Sequence, residues 1–202
     1  MKTAVCFDFF TSPLGRMLLA TDGTALTGAW FDGQRHQPPV GAHWRRRHDL
    51  PILRLAASEF AAYFAGARTP FGFALAPAGT PFQRAVWDAI AAVPCGETIA
   101  YRELALRVGR PDAVRAAAAA TGRNPLSIVI PCHRIVGANG ALTGYAGGLE
   151  RKRWLLDHER AGPPQARRAP SRREGAQRQG STNQRRGALA APARRLGAGL
   201  RP

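Results

Sequence analysis

The stretch Ile128-Val129-Ile130-Pro131-Cys132-His133-Arg134-Ile135-Val136 decides how the rest of the chain is read. Its apolar run at 128–130 predicts a buried extended segment, and Pro131 fixes φ and removes a backbone donor directly before a thiol. Cys132 is therefore expected on stiff backbone, followed by the imidazole of His133 and the guanidinium of Arg134. A thiol is a weak nucleophile until it ionises, and adjacent positive charge lowers its pKa, so both neighbours are expected to activate Cys132. Taken alone, the Cys-His pair fits a reactive thiol and also an inert core cysteine.

Downstream, Gly137-Ala138-Asn139-Gly140 is a turn signal, and residues 145–148 form a glycine-rich loop that allows close approach of a flat ligand. Residues 149–159 read as a final helix, with Trp154, Leu155 and His158 at helical offsets. Upstream, residues 122–131 form a loop whose shape Asn124 can pin through bonds to neighbouring backbone. Before it, residues 98–108 and 111–121 are two short helices separated by Gly109-Arg110, the pattern of a helix-turn-helix. Five alanines follow Arg115 in the second helix. Such a bare surface suits close approach to a groove, and it also follows from helix propensity alone. Thr80-Pro81 is an N-cap with proline at the first helical position. Phe82, Val86, Trp87 and Ile90 then mark one apolar face, with Trp87 read as core, and Pro94-Cys95-Gly96 ends that helix. Cys95 has no evident acid-base partner.

Residues 3–31 read as a meander of three short strands, with turns at Ser12-Pro13-Leu14-Gly15 and Asp22-Gly23. Residues 32–49, including Arg45-Arg46-Arg47, lack periodicity and read as a surface loop. His36, His43 and His48 match no common zinc spacing, so no metal site is expected. Residues 51–66 carry Ile52, Leu55, Ala56, Phe60 and Phe64 at helical spacing, ending at Gly66. The sequence divides into an α/β unit with its connection at 1–79, a mostly helical unit at 80–160, and a tail at 161–202.

The 202 residues carry a net charge of +16, which points to a polyanion, nucleic acid first and an acidic membrane surface second. The tail holds ten Arg and one Glu, or +9; nineteen Lys and Arg against twelve Asp and Glu leave +7 on residues 1–160. The tail's composition predicts disorder. Three scattered cysteines exclude a disulfide scaffold. With neither a signal peptide nor an apolar run of membrane-spanning length, a cytoplasmic protein without membrane association is expected.

Pro131-Cys132-His133-Arg134, with Asn124-Pro125 upstream and Gly144-Tyr145-Ala146-Gly147-Gly148-Leu149 downstream, closely resembles the active-site region of the O6-alkylguanine-DNA alkyltransferases, also called methylated-DNA–protein-cysteine methyltransferases. The likeness is strongest over residues 80–159. It implies a ribonuclease-H-like N-terminal unit of structural role, a C-terminal helix-turn-helix domain of winged-helix type, and irreversible transfer of an alkyl group from O6-alkylguanine in duplex DNA to Cys132. The alkyl carbon lies within the base stack, so the nucleotide must rotate out first.

By this resemblance Arg115 is the finger that replaces the flipped base, Ala116 and Arg123 contact DNA, and Tyr101 crowds the phosphate and protonates the leaving guanine. His133 accepts the thiol proton through a water and is oriented by Glu159. Asn124, Pro131, Tyr145 and Ala146 form the substrate pocket. The expected protein is a monomer that acts once, without cofactor, with O4-alkylthymine left open as a second substrate. Ala117, Ala118 and Thr121 depart from the usual family pattern, and Ala118 adds a methyl to the groove-facing helix. Two rivals are a non-catalytic lesion sensor, although related sensors replace this cysteine, and a thiol-based redox regulator.

Overall fold

The computed structural model describes residues 5–162. The expected Arg-rich tail therefore lies, from residue 163 onward, outside the described residues. Strands β1 (Cys6–Ser12), β2 (Gly15–Thr21) and β3 (Leu26–Phe31) form the expected antiparallel meander. The first hairpin closes in two residues because the Ser12 hydroxyl donates to the Gly15 carbonyl at 2.6 Å and accepts the Leu14 N–H at 3.1 Å, while Gly15 takes φ +105°. β2 is buried on both faces: Met17 and Leu19 enter the main core, and Leu18 and Ala20 pack with Phe7 and Trp30 on the other side.

The stretch expected as a surface loop contributes a fourth strand, β4 (Arg45–Arg46), parallel to β1 at the sheet edge. Arg46 is anchored there by Asp8 at 2.8 Å, a cross-strand partner that local composition does not reveal.

Helix α1 (Pro51–Phe64) packs across the meander. Its buried face is Leu53, Ala56, Phe60 and Tyr63, rotated from the expected stripe, and Leu55 is exposed. Helix α2 (Pro81–Ala91) begins with the expected N-cap: Thr80 accepts the Gln83 N–H, and the Gln83 side chain accepts the Thr80 N–H. Such a capping box contributes about 1 kcal/mol.

Residues 99–100 do not join the following helix. They form β5 (Ile99–Ala100), which pairs in parallel with β6 (Ile135–Val136). Helix α3 (Tyr101–Arg107) therefore starts at Tyr101, and α4 (Val114–Gly122) follows after a turn. Trp87 is core, as expected, and its indole N–H donates to the Ala120 carbonyl at 2.9 Å, locking α2 to α4. The chain ends its described part with α5 (Leu149–Arg160).

One apolar core runs from Met17, Phe31 and Phe60 through Trp87, Leu104 and Ala117 to Leu126 and Leu155. The edge of β3 also holds the segment before the thiol, since the Ala29 N–H donates to the Pro125 carbonyl at 2.8 Å and the Ser127 N–H donates to the Ala29 carbonyl at 2.9 Å.

Ile128 and Ile130 are buried and Val129 half-buried, but the run is not extended. Ile128 adopts φ +74°, and the Ile130 N–H turns back to the Leu126 carbonyl. A β-branched residue in that region costs about 1–3 kcal/mol and persists only where its surroundings over-determine it. Here Ile128 is locked in the core. Pro131 then takes φ −79° and ψ 62°, an inverse γ-turn closed by the Cys132 N–H on the Ile130 carbonyl at 2.7 Å. Cys132–Arg134 is a single 3₁₀ turn rather than a strand.

Candidate active site

A cavity of about 680 Å³ opens between α3, α4, the 143–146 loop and residues 35–36. Its wall brings together Tyr101, Arg115, Arg123, Cys132, Tyr145 and Ala146, all expected from sequence. On α4, Arg115, Ala118, Ala119 and Gly122 line the cavity, Ala117 and Ala120 are buried away from it, and Thr121 is nearly buried in its wall. The alanine run thus serves two faces at once, a bare one toward the cavity and a close-packed one toward α2 and α3. The extra methyl of Ala118 is on the cavity side, Thr121 donates to the Ala117 carbonyl at 2.8 Å, and Ala116 is exposed outside the cavity.

Asn124 and Pro131 do not line this cavity; they lie behind the thiol. The Asn124 amide nitrogen donates to the Ile130 carbonyl at 2.8 Å and lies 3.1 Å from Cys132 Sγ, while its Oδ1 accepts the Leu126 N–H at 2.9 Å. One buried side chain thus shapes the loop and binds the sulfur. Pro131 faces a separate cleft on the far side of the loop, beside Cys95 and Arg134.

The thiol is not activated as its sequence neighbours imply. Cys132 is 5% exposed, and burial pushes its pKa up; the Asn124 hydrogen bond and the charge of Lys152 pull the other way. Arg134 turns from the sulfur to hold Glu159, with Nε on Oε2 at 2.8 Å and Nη2 on Oε1 at 2.9 Å. His133 is fully buried, and burial lowers its pKa against the opposing pull of Glu159, so it rests neutral.

Glu159 sets the tautomer of that histidine. Burial alone would raise the carboxyl pKa, but hydrogen bonds from His133 and Arg134 outweigh it and hold the group ionised, well below the usual carboxylate range. An ionised carboxylate only accepts, so His133 Nε2, 2.8 Å from Oε1, carries the proton. The lone pair is then on Nδ1, which is buried and has no protein partner. A neutral imidazole with a free basic nitrogen beside a thiol can take the thiol's proton when a charge-accepting substrate arrives.

Tyr101 opens α3 on the cavity wall; burial and then the proximity of Cys132 raise its pKa, with Thr143 opposing, so it is a protonated donor. Tyr145 is held protonated chiefly by burial. Its ring packs on Gly147, where a Cβ would come within 2.7 Å of Tyr145 Cε1, and the Arg35 N–H fastens the loop through the Ala146 carbonyl at 2.9 Å.

The model of the 6-O-methylguanine DNA methyltransferase ribonuclease-like domain matches residues 5–77, and that of the DNA binding domain of the same family matches residues 81–161. The chain belongs to this family. The methylated-DNA–protein-cysteine methyltransferase of Haemophilus influenzae is 42% identical over 159 residues, 78% of this chain and 88% of that protein. That of Methanosarcina acetivorans is 43% identical over 153 residues, 76% and 97% of the two chains. Mycobacterium tuberculosis OGT in complex with DNA superposes with a TM-score of 0.73 at 40% identity, over 79% of this chain and 96% of that one.

The resemblance to this methyltransferase family did not bring out Lys152. It is fully buried, donating to the carbonyls of Ile135 at 2.6 Å, Thr143 at 2.8 Å and Gly144 at 3.2 Å, which ties α5 to the loop over the cavity. Its signal was present: positions 152, 155, 156 and 159 form one buried helical face, with a cation and an anion two turns apart inside an apolar stripe. Burial lowers the Lys152 pKa from 10.5 to about 8, with Cys132 opposing.

The unfolded chain therefore binds more protons than the folded one between those values, and this group's contribution to stability rises with pH across that window. Urea unfolding at pH 8 and pH 10 is expected to show wild type gaining about 1–2 kcal/mol relative to Lys152→Met.

Proposed function

We propose that this chain repairs O6-alkylguanine in double-stranded DNA by accepting the alkyl group on Cys132, once per molecule. The observation that carries the reading is the thiol of Cys132 at the inner end of a cavity, backed by a neutral His133 whose proton position Glu159 fixes. The flipped guanine enters between Tyr145 and the α4 face. The Cys132 proton passes through a water to His133 Nδ1, sulfur bonds to the alkyl carbon, and the O6–carbon bond breaks with its electron pair moving to guanine. Tyr101 supplies the proton that guanine then needs. The thioether product has no group poised to cleave it, so each chain is consumed. No cofactor enters this scheme.

In this reading residues 1–79 form the α/β support and residues 80–160 the DNA-binding and catalytic domain. Helices α3 and α4 act as a helix-turn-helix, with α4 in the groove and Arg115 filling the space the base leaves. Arg123 and the exposed Ala116 adjoin the backbone, and Asn124 with Pro131 shapes the pocket from behind. Among the described residues no helix is long and apolar enough to cross a membrane. The reading has a monomer acting in the cytoplasm, with the Arg-rich tail adding nonspecific, salt-sensitive affinity.

The test is conversion of O6-methylguanine to guanine in a duplex, followed by chromatography of the digested nucleosides. Arg115→Ala is expected to slow transfer from the duplex by about 10–100-fold, since unstacking a base costs a few kcal/mol and the variant loses the residue that offsets it. Transfer from the free modified base is expected within about twofold of wild type. A sensor would bind the lesion and leave it unchanged.

A further inference from the structure

We propose that Tyr63, on α1 of the N-terminal domain, is a positioning residue for alkyl transfer: its hydroxyl holds the Glu159 oxygen that orients His133 and thereby sets how readily the imidazole takes a proton. This rests on the alkyl-transfer reading above.

The Tyr63 hydroxyl donates to Glu159 Oε1 at 2.9 Å, the same oxygen that accepts His133 Nε2 at 2.8 Å and Arg134 Nη2 at 2.9 Å. The second oxygen accepts Arg134 Nε at 2.8 Å and the Gly96 N–H at 3.2 Å. A carboxylate offers about four lone-pair sites, so five donors saturate it and each draws on a shared charge. Tyr63 is 8% exposed, and burial and then Glu159 raise its pKa, so it donates throughout the working range. An N-terminal unit expected to be only structural thus touches the carboxylate at the end of the proton relay.

Tyr63→Phe removes this one donor and little else. The ring keeps its contacts with Phe64, Phe71 and His158, and Arg134 with the Gly96 N–H still grips the carboxylate. Oε1 then presents more of its charge to His133, whose protonated form becomes easier to reach. The other ionisable groups facing Tyr63, Glu159 and His133 are Lys152 and His158 on α5, Arg134 and Cys132 on the 3₁₀ turn, Cys95 after α2, Arg68 after α1 and Tyr145 on the loop, and none of them is replaced by the substitution.

The experiment is the pH dependence of the single-turnover rate constant at saturating lesion duplex. Tyr63→Phe is expected to move the acid limb up by about half a unit to one unit, a 3–10-fold slower transfer below the limb with rates within about twofold above it. Affinity for undamaged duplex is expected to be unchanged. Placing 3-fluorotyrosine at position 63, a stronger donor of the same shape, moves the limb down and serves if the phenylalanine variant does not fold. An acid limb that stays in place, or moves the other way in either variant, overturns the proposal. If wild-type Cys132 takes up no methyl group, the alkyl-transfer reading itself has failed; if it does and the limb does not move, only the role of Tyr63 has.

Discussion

Cys132→Ala is expected to abolish methyl transfer, a fall of about 10⁶-fold or more, because Cys132 carries the one thiol among the described residues of the cavity wall, and the imidazole and phenols there are far weaker nucleophiles. Affinity for the lesion duplex should stay within a few-fold of wild type, since Arg115 on α4 and Arg123 just after it are left in place. Single-turnover assays of repair beside anisotropy measurements of binding check both halves. The substitution deletes one sulfur from a site that is 5% exposed and frees the Asn124 amide of one partner, so a modest loss of stability is expected with it.

Glu159→Ala should do the largest structural damage of any substitution in the site. It removes the acceptor of Tyr63, His133, Arg134 and the Gly96 N–H at once and leaves the Arg134 guanidinium, 11% exposed, without a counter-charge. Breaking a buried pair from one side costs about 3–5 kcal/mol. Transfer by whatever fraction still folds should be slower as well, because nothing fixes the proton on His133 Nε2. Denaturant unfolding and the single-turnover rate together measure it.

The same carboxylate gives a pH signature. Its folded pKa lies below the unfolded value, so its contribution is complete above about pH 5 and is lost as pH falls toward the folded value. Glu159→Gln is expected to flatten that acid limb of the stability curve.

How far the sequence was legible depended on how local each cause was. Thr80, Pro81 and Gln83 announce the start of α2 because a capping box is made by residues three apart. The Ser12–Gly15 hairpin is equally local. Helical spacing puts 115, 118 and 119 on one side of α4, which makes the cavity face legible from Arg115 and the alanine run, whereas Gly122 falls in the stretch expected as a loop and joins that face only because the helix runs one residue further.

Long-range causes were not legible in this way. Arg134 follows Cys132 by two positions yet holds Glu159, twenty-five residues later, so its charge could not be assigned from adjacency. Tyr63 reaches the same carboxylate from ninety-six residues away. The left-handed φ of Ile128 comes from a tight turn pinned by Asn124 and by β3, and an apolar run looks the same whether it is extended or folded back. Strand β4 forms because β1 offers a free edge, which no feature of Arg45-Arg46 declares. Lys152 was the exception: with Glu159, which the family resemblance had already singled out, it places two opposite charges on the buried face of α5, and the charged composition of that helix masked the lysine.

The central claim is that the sulfur of Cys132 takes one alkyl carbon and keeps it. Its most direct test is intact-mass and peptide mapping of the full chain after incubation with excess duplex carrying O6-methylguanine, beside a count of the guanines restored. The account predicts one methyl group per polypeptide, mapped to Cys132, and one guanine restored for each chain consumed. Repair of many lesions per chain, or a methyl group found on any other residue, contradicts it.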